Sequence, residues 1–140
     1  MPSEEKAIKH ASECWEKGYN CTESVLRGVC YGLGVELPDV ALKMATPFGG
    51  GVGRSQELCG ALSGGVLAVG TVLGRTECGE DRFVSYNAAR DLYDQFRDKF
   101  GSSLCHELNF GDFTSPEHRE RCESFVIETV RKTFRIIRKA

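Results

Sequence analysis

The chain has 140 residues, is 41% hydrophobic and 27% charged, and carries a net charge of −2. This suits a single domain, residues 1–140, with one core of ordinary composition, and gives no general reason to expect nucleic acid as a partner. The opening "MPSEEKAIKH" has no apolar stretch behind a basic head, so the expected location is cytoplasmic, without a secretory signal. In chain order, Ser3 caps a first helix with an apolar face of Ala7, Ile8, Ala11, Cys14 and Trp15, which Gly18 ends. Asn20 caps a second, with Glu23 completing a capping box. Its face is Val25, Leu26, Val29, Cys30 and Leu33, with Gly32 and Gly34 as stops. Pro38 opens a short third helix that must end before Pro47. A fourth runs from near Ser55 to about Leu73, stopped by Gly74. After the loop "RTECGED" a fifth spans about Asp81 to Phe100, with a face of Val84, Ala88, Leu92, Phe96 and Phe100, closed by Gly101. "SSLCHEL" gives one or two helical turns, and Ser115 with Pro116 starts a last helix that runs nearly to the end. No strand is predicted, so the expected fold is an all-α, single-domain helical bundle.

The segment "GGGVGRS" invites a phosphate-loop reading, which fails because Phe48 and Arg54 stand where that motif needs glycine and lysine. Leu58 to Gly74 is 17 residues without a charge and includes five glycines. It falls short of the roughly 20 residues of a membrane span. A buried glycine-rich central helix fits better, because small side chains let the amphipathic helices approach it closely.

Seven cysteines, with no export signal and no C-x-x-C, argue against a fixed disulfide framework, a thioredoxin-type centre and a zinc ribbon. Cys14 and Cys30 fall on apolar helix faces, and Cys78 in a polar loop. Cys21, Cys59, Cys105 and Cys122 instead fall at or near predicted helix starts, with Arg54, Arg119 and Arg121 as nearby cations. A helix N-terminus favours an anion, and the thiolate is the form that attacks or binds metal. All four are expected to deprotonate readily. Four thiolates are also the common ligand set of an iron–sulfur cluster or of structural zinc.

The stretch Cys59-Gly60-Ala61-Leu62-Ser63-Gly64, with Cys21 before it and Cys105 and Cys122 after it, resembles the cysteine pattern of the C_GCAxxG_C_C family of small redox-active proteins. The resemblance covers nearly the whole chain. It implies electron transfer through Cys21, Cys59, Cys105 and Cys122, as ligands of an iron–sulfur cluster or as a dithiol/disulfide centre. Cys59 and Cys21 are the candidates for the reacting thiols. Zinc held by the same four residues is an alternative without turnover, as is a helical interaction domain with cysteines in its core. The electron-transfer partner is open, and a homodimer is compatible with the pattern. Gly60 and Gly64 share a helix face, where another helix can approach and bring its own thiol.

His118 lies four residues before Cys122, and His106 beside Cys105, so either imidazole is a candidate ligand or base. Asp91, Asp94 and Asp98 with Arg90 and Arg97 read as a solvated helix face. The tail "RKTFRIIRK" reads as a charged outer face, with contact to a membrane surface or an acidic partner as its alternative.

Overall fold

The computed structural model describes residues 1–140. It is an all-α bundle. The helices are α1 (Glu4–Lys17), α2 (Cys21–Leu33), α3 (Asp39–Ala45), α4 (Gly60–Leu73), α5 (Phe83–Phe100), α6 (Cys105–Leu108) and α7 (Pro116–Lys139), with a 3-10 turn at Thr46–Phe48. The one β-type pairing is an isolated antiparallel bridge between Leu58 and Leu104. No helix is long and apolar enough to cross a membrane.

Local chemistry sets the helix ends. Ser3 accepts from the Lys6 N–H, and Ser115 from the His118 N–H. Each such cap is worth about 1 kcal/mol. The Asn20 side chain accepts from the Glu23 N–H (2.9 Å), and Glu23 accepts in return from the Asn20 N–H (3.0 Å). Gly18 and Gly34 end their helices in the left-handed region, at φ 107° and 77°. Gly32 is not a stop. It lies inside α2, in contact with Ala7, where a side chain would not fit.

α1 and α2 form an antiparallel hairpin, with Gly28 over Ala11 and Gly32 over Ala7. α4 packs on α2, and α7 crosses α1, α2 and α4. Leu62, Val25, Val29, Leu92, Phe96, Val126 and Val130 fill the shared core. The glycine-rich helix is central, but its burial is uneven. Gly60 to Gly65 are all buried, whereas Val66 and Val72 are 38% and 44% exposed. On α5, Ala88, Leu92 and Phe96 are buried, but Val84 is exposed, because the first turns of α5 overhang the core. At the other end, Phe134, Ile136 and Ile137 are buried in the bundle and Arg135 pairs with Glu4 (2.6 Å). The tail's apolar residues are thus used in the core rather than offered to a membrane or a partner.

The start of α4 differs most from expectation. It begins at Gly60, not near Ser55, and Cys59 is its N-cap. The reason lies just upstream. Gly50, Gly51, Val52, Gly53 and Arg54 all have positive φ, between 57° and 74°, and Gln56 follows at 62°. A left-handed run cannot belong to a right-handed helix. The three non-glycine residues cost on the order of 1–3 kcal/mol each.

Candidate functional site

The left-handed loop is held by its own backbone. Gly53 N–H donates to Pro47 O (2.8 Å), Gln56 N–H to Gly50 O (3.0 Å) and Glu57 N–H to Gly51 O (3.1 Å). The strand-like stretch after it then zips onto the segment before α6. Cys59 N–H donates to Ser103 O (2.8 Å), Cys105 N–H to Glu57 O (2.6 Å) and His106 N–H to Gln56 O (3.0 Å). These bonds set Cys59 and Cys105 side by side, 46 positions apart in sequence. Gly51 is buried against Cys105, and a Cβ on it would stand 3.0 Å from the Cys105 Cβ.

Cys21 arrives from the other side. Thr22 on α2 donates its hydroxyl to the Gly60 carbonyl (2.9 Å), deep in the α2–α4 contact. A Cβ on Gly60 would lie 2.8 Å from Thr22 Oγ1 and 3.6 Å from Cys21 Sγ, and one on Gly64 would lie 2.6 Å from Thr22 O. Glycine at 60 and 64 therefore lets α2 bring its thiol beside Cys59. Cys122, on the second turn of α7, completes the set beside Cys21.

The structure thus brings Cys21, Cys59, Cys105 and Cys122 to the wall of one cavity of about 380 Å³. Cys14 and Cys30 lie elsewhere, buried in α1 and α2, and Cys78 is exposed in the loop before α5. No three His, Cys, Asp or Glu side chains converge closely enough to hold a single metal ion.

The four thiols differ in acidity, which corrects the expectation of four easily formed thiolates. Burial pushes Cys59 from 9.0 up to about 12, although the N–H groups of Ala61 and Leu62 favour its anion. Burial also raises Cys105, with the neighbouring Cys122 adding to the effect. Donating its proton to Cys122 raises Cys21, and burial adds to that. Only Cys122 is lowered, first by the Cys21 hydrogen bond and then by the Arg121 charge and Asn109. Arg54, expected to act on Cys59, is exposed and is not among the groups that set its acidity. A helix N-terminus helps an anion, but desolvation outweighs it at Cys59 and Cys105, and the pairing with Cys122 together with desolvation does so at Cys21.

Two further residues touch the sulfurs. His118 Nε2 lies 3.4 Å from Cys122 Sγ, and burial holds this imidazole below its usual range, so it is neutral near neutral pH. His106 is exposed. Asn109 is 1% exposed and escaped the sequence reading. Its amide donates to Cys105 O (3.1 Å) and lies 3.8 Å from Cys105 Sγ, and it favours the Cys122 anion. Arg121 fixes its orientation by donating to Asn109 Oδ1 (3.1 Å) and is itself held by Asp112 (3.0 Å). One chain of bonds therefore runs from Asp112 through Arg121 and Asn109 to two sulfurs.

Residues 19–136 match the C_GCAxxG_C_C family, described as "Putative redox-active protein (C_GCAxxG_C_C)". This chain belongs to that family. All four cavity cysteines fall within the matched span, and Cys14 falls outside it. The family's pattern is written Gly-Cys-Ala, where this chain has Cys59, Gly60 and Ala61. A protein of Archaeoglobus fulgidus, described as uncharacterized, is 28% identical over 143 residues, covering 95% of this chain and 94% of its own length. No solved structure matches the chain.

Proposed function

We propose that Cys21, Cys59, Cys105 and Cys122 form one redox centre that carries electrons. The observation that supports this most directly is their convergence, from four separate segments, on a single cavity. The cavity has no acidic side chain in its wall, so its sulfurs are the negative groups it can form.

The donor set fits an iron–sulfur cluster, since four cysteine thiolates are its ordinary ligands. Cys21, Cys59, Cys105 and Cys122 would hold it, and it would supply a one-electron couple. Around it the chain contributes the Asn109 amide near two sulfurs, glycine clearance at Gly51 and Gly60, and burial that keeps water from the thiols. Hydrogen bonds to sulfur and solvent exclusion both tune the potential of such a centre. Single-ion zinc has less support, because no three donors converge on one point.

A dithiol/disulfide centre has its own supporting observation in the Cys21–Cys122 pair. Cys122, the more acidic, is the attacking thiolate of that reading, and the neutral His118 beside it can take its proton. Attack on an oxidised partner disulfide gives a mixed disulfide, which Cys21 resolves to the Cys21–Cys122 disulfide and two released thiols. Cys59 is then the inner, protonated thiol rather than the first to react.

Anaerobic purification with iron, sulfide and zinc analysis, a visible spectrum and a thiol titration tests the proposal. The expected result is either about four iron or fewer per chain with visible absorption, or a reversible two-electron thiol couple. Cys122→Ser abolishes or strongly alters the signal in either case, Cys59→Ser does so for a cluster, and Cys30→Ser does neither. A wild-type signal retained in both Cys59→Ser and Cys122→Ser would remove the proposal.

A further inference from the structure

Above the sulfurs the same cavity opens to solvent, and this mouth has a chemistry of its own. Trp15, Tyr19 and Phe113 give it flat apolar walls. Arg54 and Arg119 stand at its edge, both exposed and neither in an ion pair. No Asp or Glu lines it, in a chain that carries 20 of them. Arg119 lies over the Trp15 ring at 4.9 Å, with its guanidinium 3.4 Å from the Trp15 carbonyl. Two backbone N–H donors of its lining, those of Gly50 and Gly51 in the left-handed run, make no hydrogen bond within the chain. Unpaired cations and unpaired donors together describe a place where negative charge is missing.

We propose that the mouth of this cavity binds a small organic anion with a flat apolar body, such as an aromatic carboxylate. Arg54 and Arg119 meet the charge, and Trp15, Tyr19 and Phe113 meet the body. The cavity of about 380 Å³ holds a molecule of that size and not a folded partner. The site shares its cavity with the four cysteines but does not depend on their redox reading. The binding site itself rests on the cations, the unpaired donors and the acid-free wall.

Benzoate and its neutral isostere benzamide are the probes. Trp15 is the only tryptophan of the chain, so its fluorescence reports binding at this place, with calorimetry as the second readout. Benzoate is expected to bind at least about tenfold more tightly than benzamide, since only benzoate carries the charge that makes its hydrogen bonds to Arg54 and Arg119 charge-assisted on both sides. The preference falls several-fold in Arg54→Gln and in Arg119→Gln, and disappears in the double variant. It is unchanged in Arg90→Gln, which removes an exposed arginine that does not line the cavity. Equal affinity for the two probes overturns the inference, as does a preference that survives the double variant or that Arg90→Gln lowers equally. The cysteine centre is read separately in the wild-type protein by its metal content and thiol titration. A cavity without anion preference leaves that centre standing. Inert cysteines beneath a benzoate site would remove the centre and leave the site.

Discussion

Cys122 differs from the other three cavity thiols by what surrounds its sulfur. Cys21, the Arg121 charge and the Asn109 amide all favour its anion, and His118 lies at 3.4 Å. Burial at the other three is not offset in this way. Among the four cavity cysteines, alkylation of the reduced, metal-free protein should therefore reach Cys122 first, at a rate that rises through a midpoint below the ordinary thiol value of 9.0. Asn109→Leu keeps the bulk but deletes the amide donor, and Arg121→Gln deletes the charge. Both should move that midpoint to higher pH, by about 1 unit or less each, read by mass spectrometry of iodoacetamide adducts. An unmoved midpoint in both would mean that Cys21 alone sets the acidity of Cys122. The sequence made part of this legible. His118 and Cys122 are four apart on one long helix, so their contact follows from period alone. Asn109 is also four residues after Cys105, but α6 has only four residues, and a polar residue before "FGD" reads as a turn. Nothing in local pattern tells that this Asn is buried, because Arg121 on another helix is what satisfies its oxygen.

Glycine governs how closely the elements approach. A Cβ at Gly28 would stand 2.5 Å from the Ala11 Cβ and 2.8 Å from Ala7 O, and one at Gly60 would press on Thr22. Alanine is the better helix former by about 1 kcal/mol, yet the contacts are backbone and short side chains that cannot yield. Gly28→Ala should therefore destabilise the fold by about 1–3 kcal/mol, read as a lower denaturant midpoint with a similar slope. Gly60→Ala should carry a second effect, because it pushes Thr22 and Cys21 away from Cys59. Its cofactor signal or thiol couple should change more than that of Gly28→Ala at equal loss of stability. If the two variants differ only in stability, the α2–α4 contact does not position Cys21. The helices themselves were legible, since the apolar face of α1, the capping box of α2 and the Ser115–Pro116 start of α7 are local signals. The start of α4 was not. Ser55 looks like a cap in sequence, and only the left-handed run over residues 50–54, imposed by hydrogen bonds to Pro47, Phe48 and Gly49, delays the helix to Gly60.

The molecule as a whole keeps most of its thiols protonated by burying them, and this ties its stability to alkaline pH. Cys59 holds its proton up to about pH 12 when folded, against an ordinary value of 9.0. Cys21, Cys105, Cys14 and Cys30 are raised as well, Cys21 chiefly by its bond to Cys122 and the rest chiefly by burial. Below about pH 9 the folded and unfolded chains both keep these protons, so they add no pH dependence. Above it the unfolded chain releases them while the folded chain retains them, and stability falls as pH rises. The decline belonging to Cys59 continues to about pH 12, where the folded protein also loses that proton. Tyrosine and lysine titrate in the same range, so the slope of the wild type alone does not isolate the thiols. The difference between the wild type and Cys59→Ser does. In reduced, metal-free protein, denaturant melts between pH 8 and pH 11 should give a steeper fall for the wild type. The gap approaches about 1.4 kcal/mol per pH unit above pH 9, which is one proton's worth of linkage. Cys59→Ser starts less stable near pH 8, because a hydroxyl replaces a buried sulfur, and the two curves converge as pH rises. Parallel curves across that range would mean that Cys59 is not shielded from water in the folded protein, and that the floor of the cavity is wet.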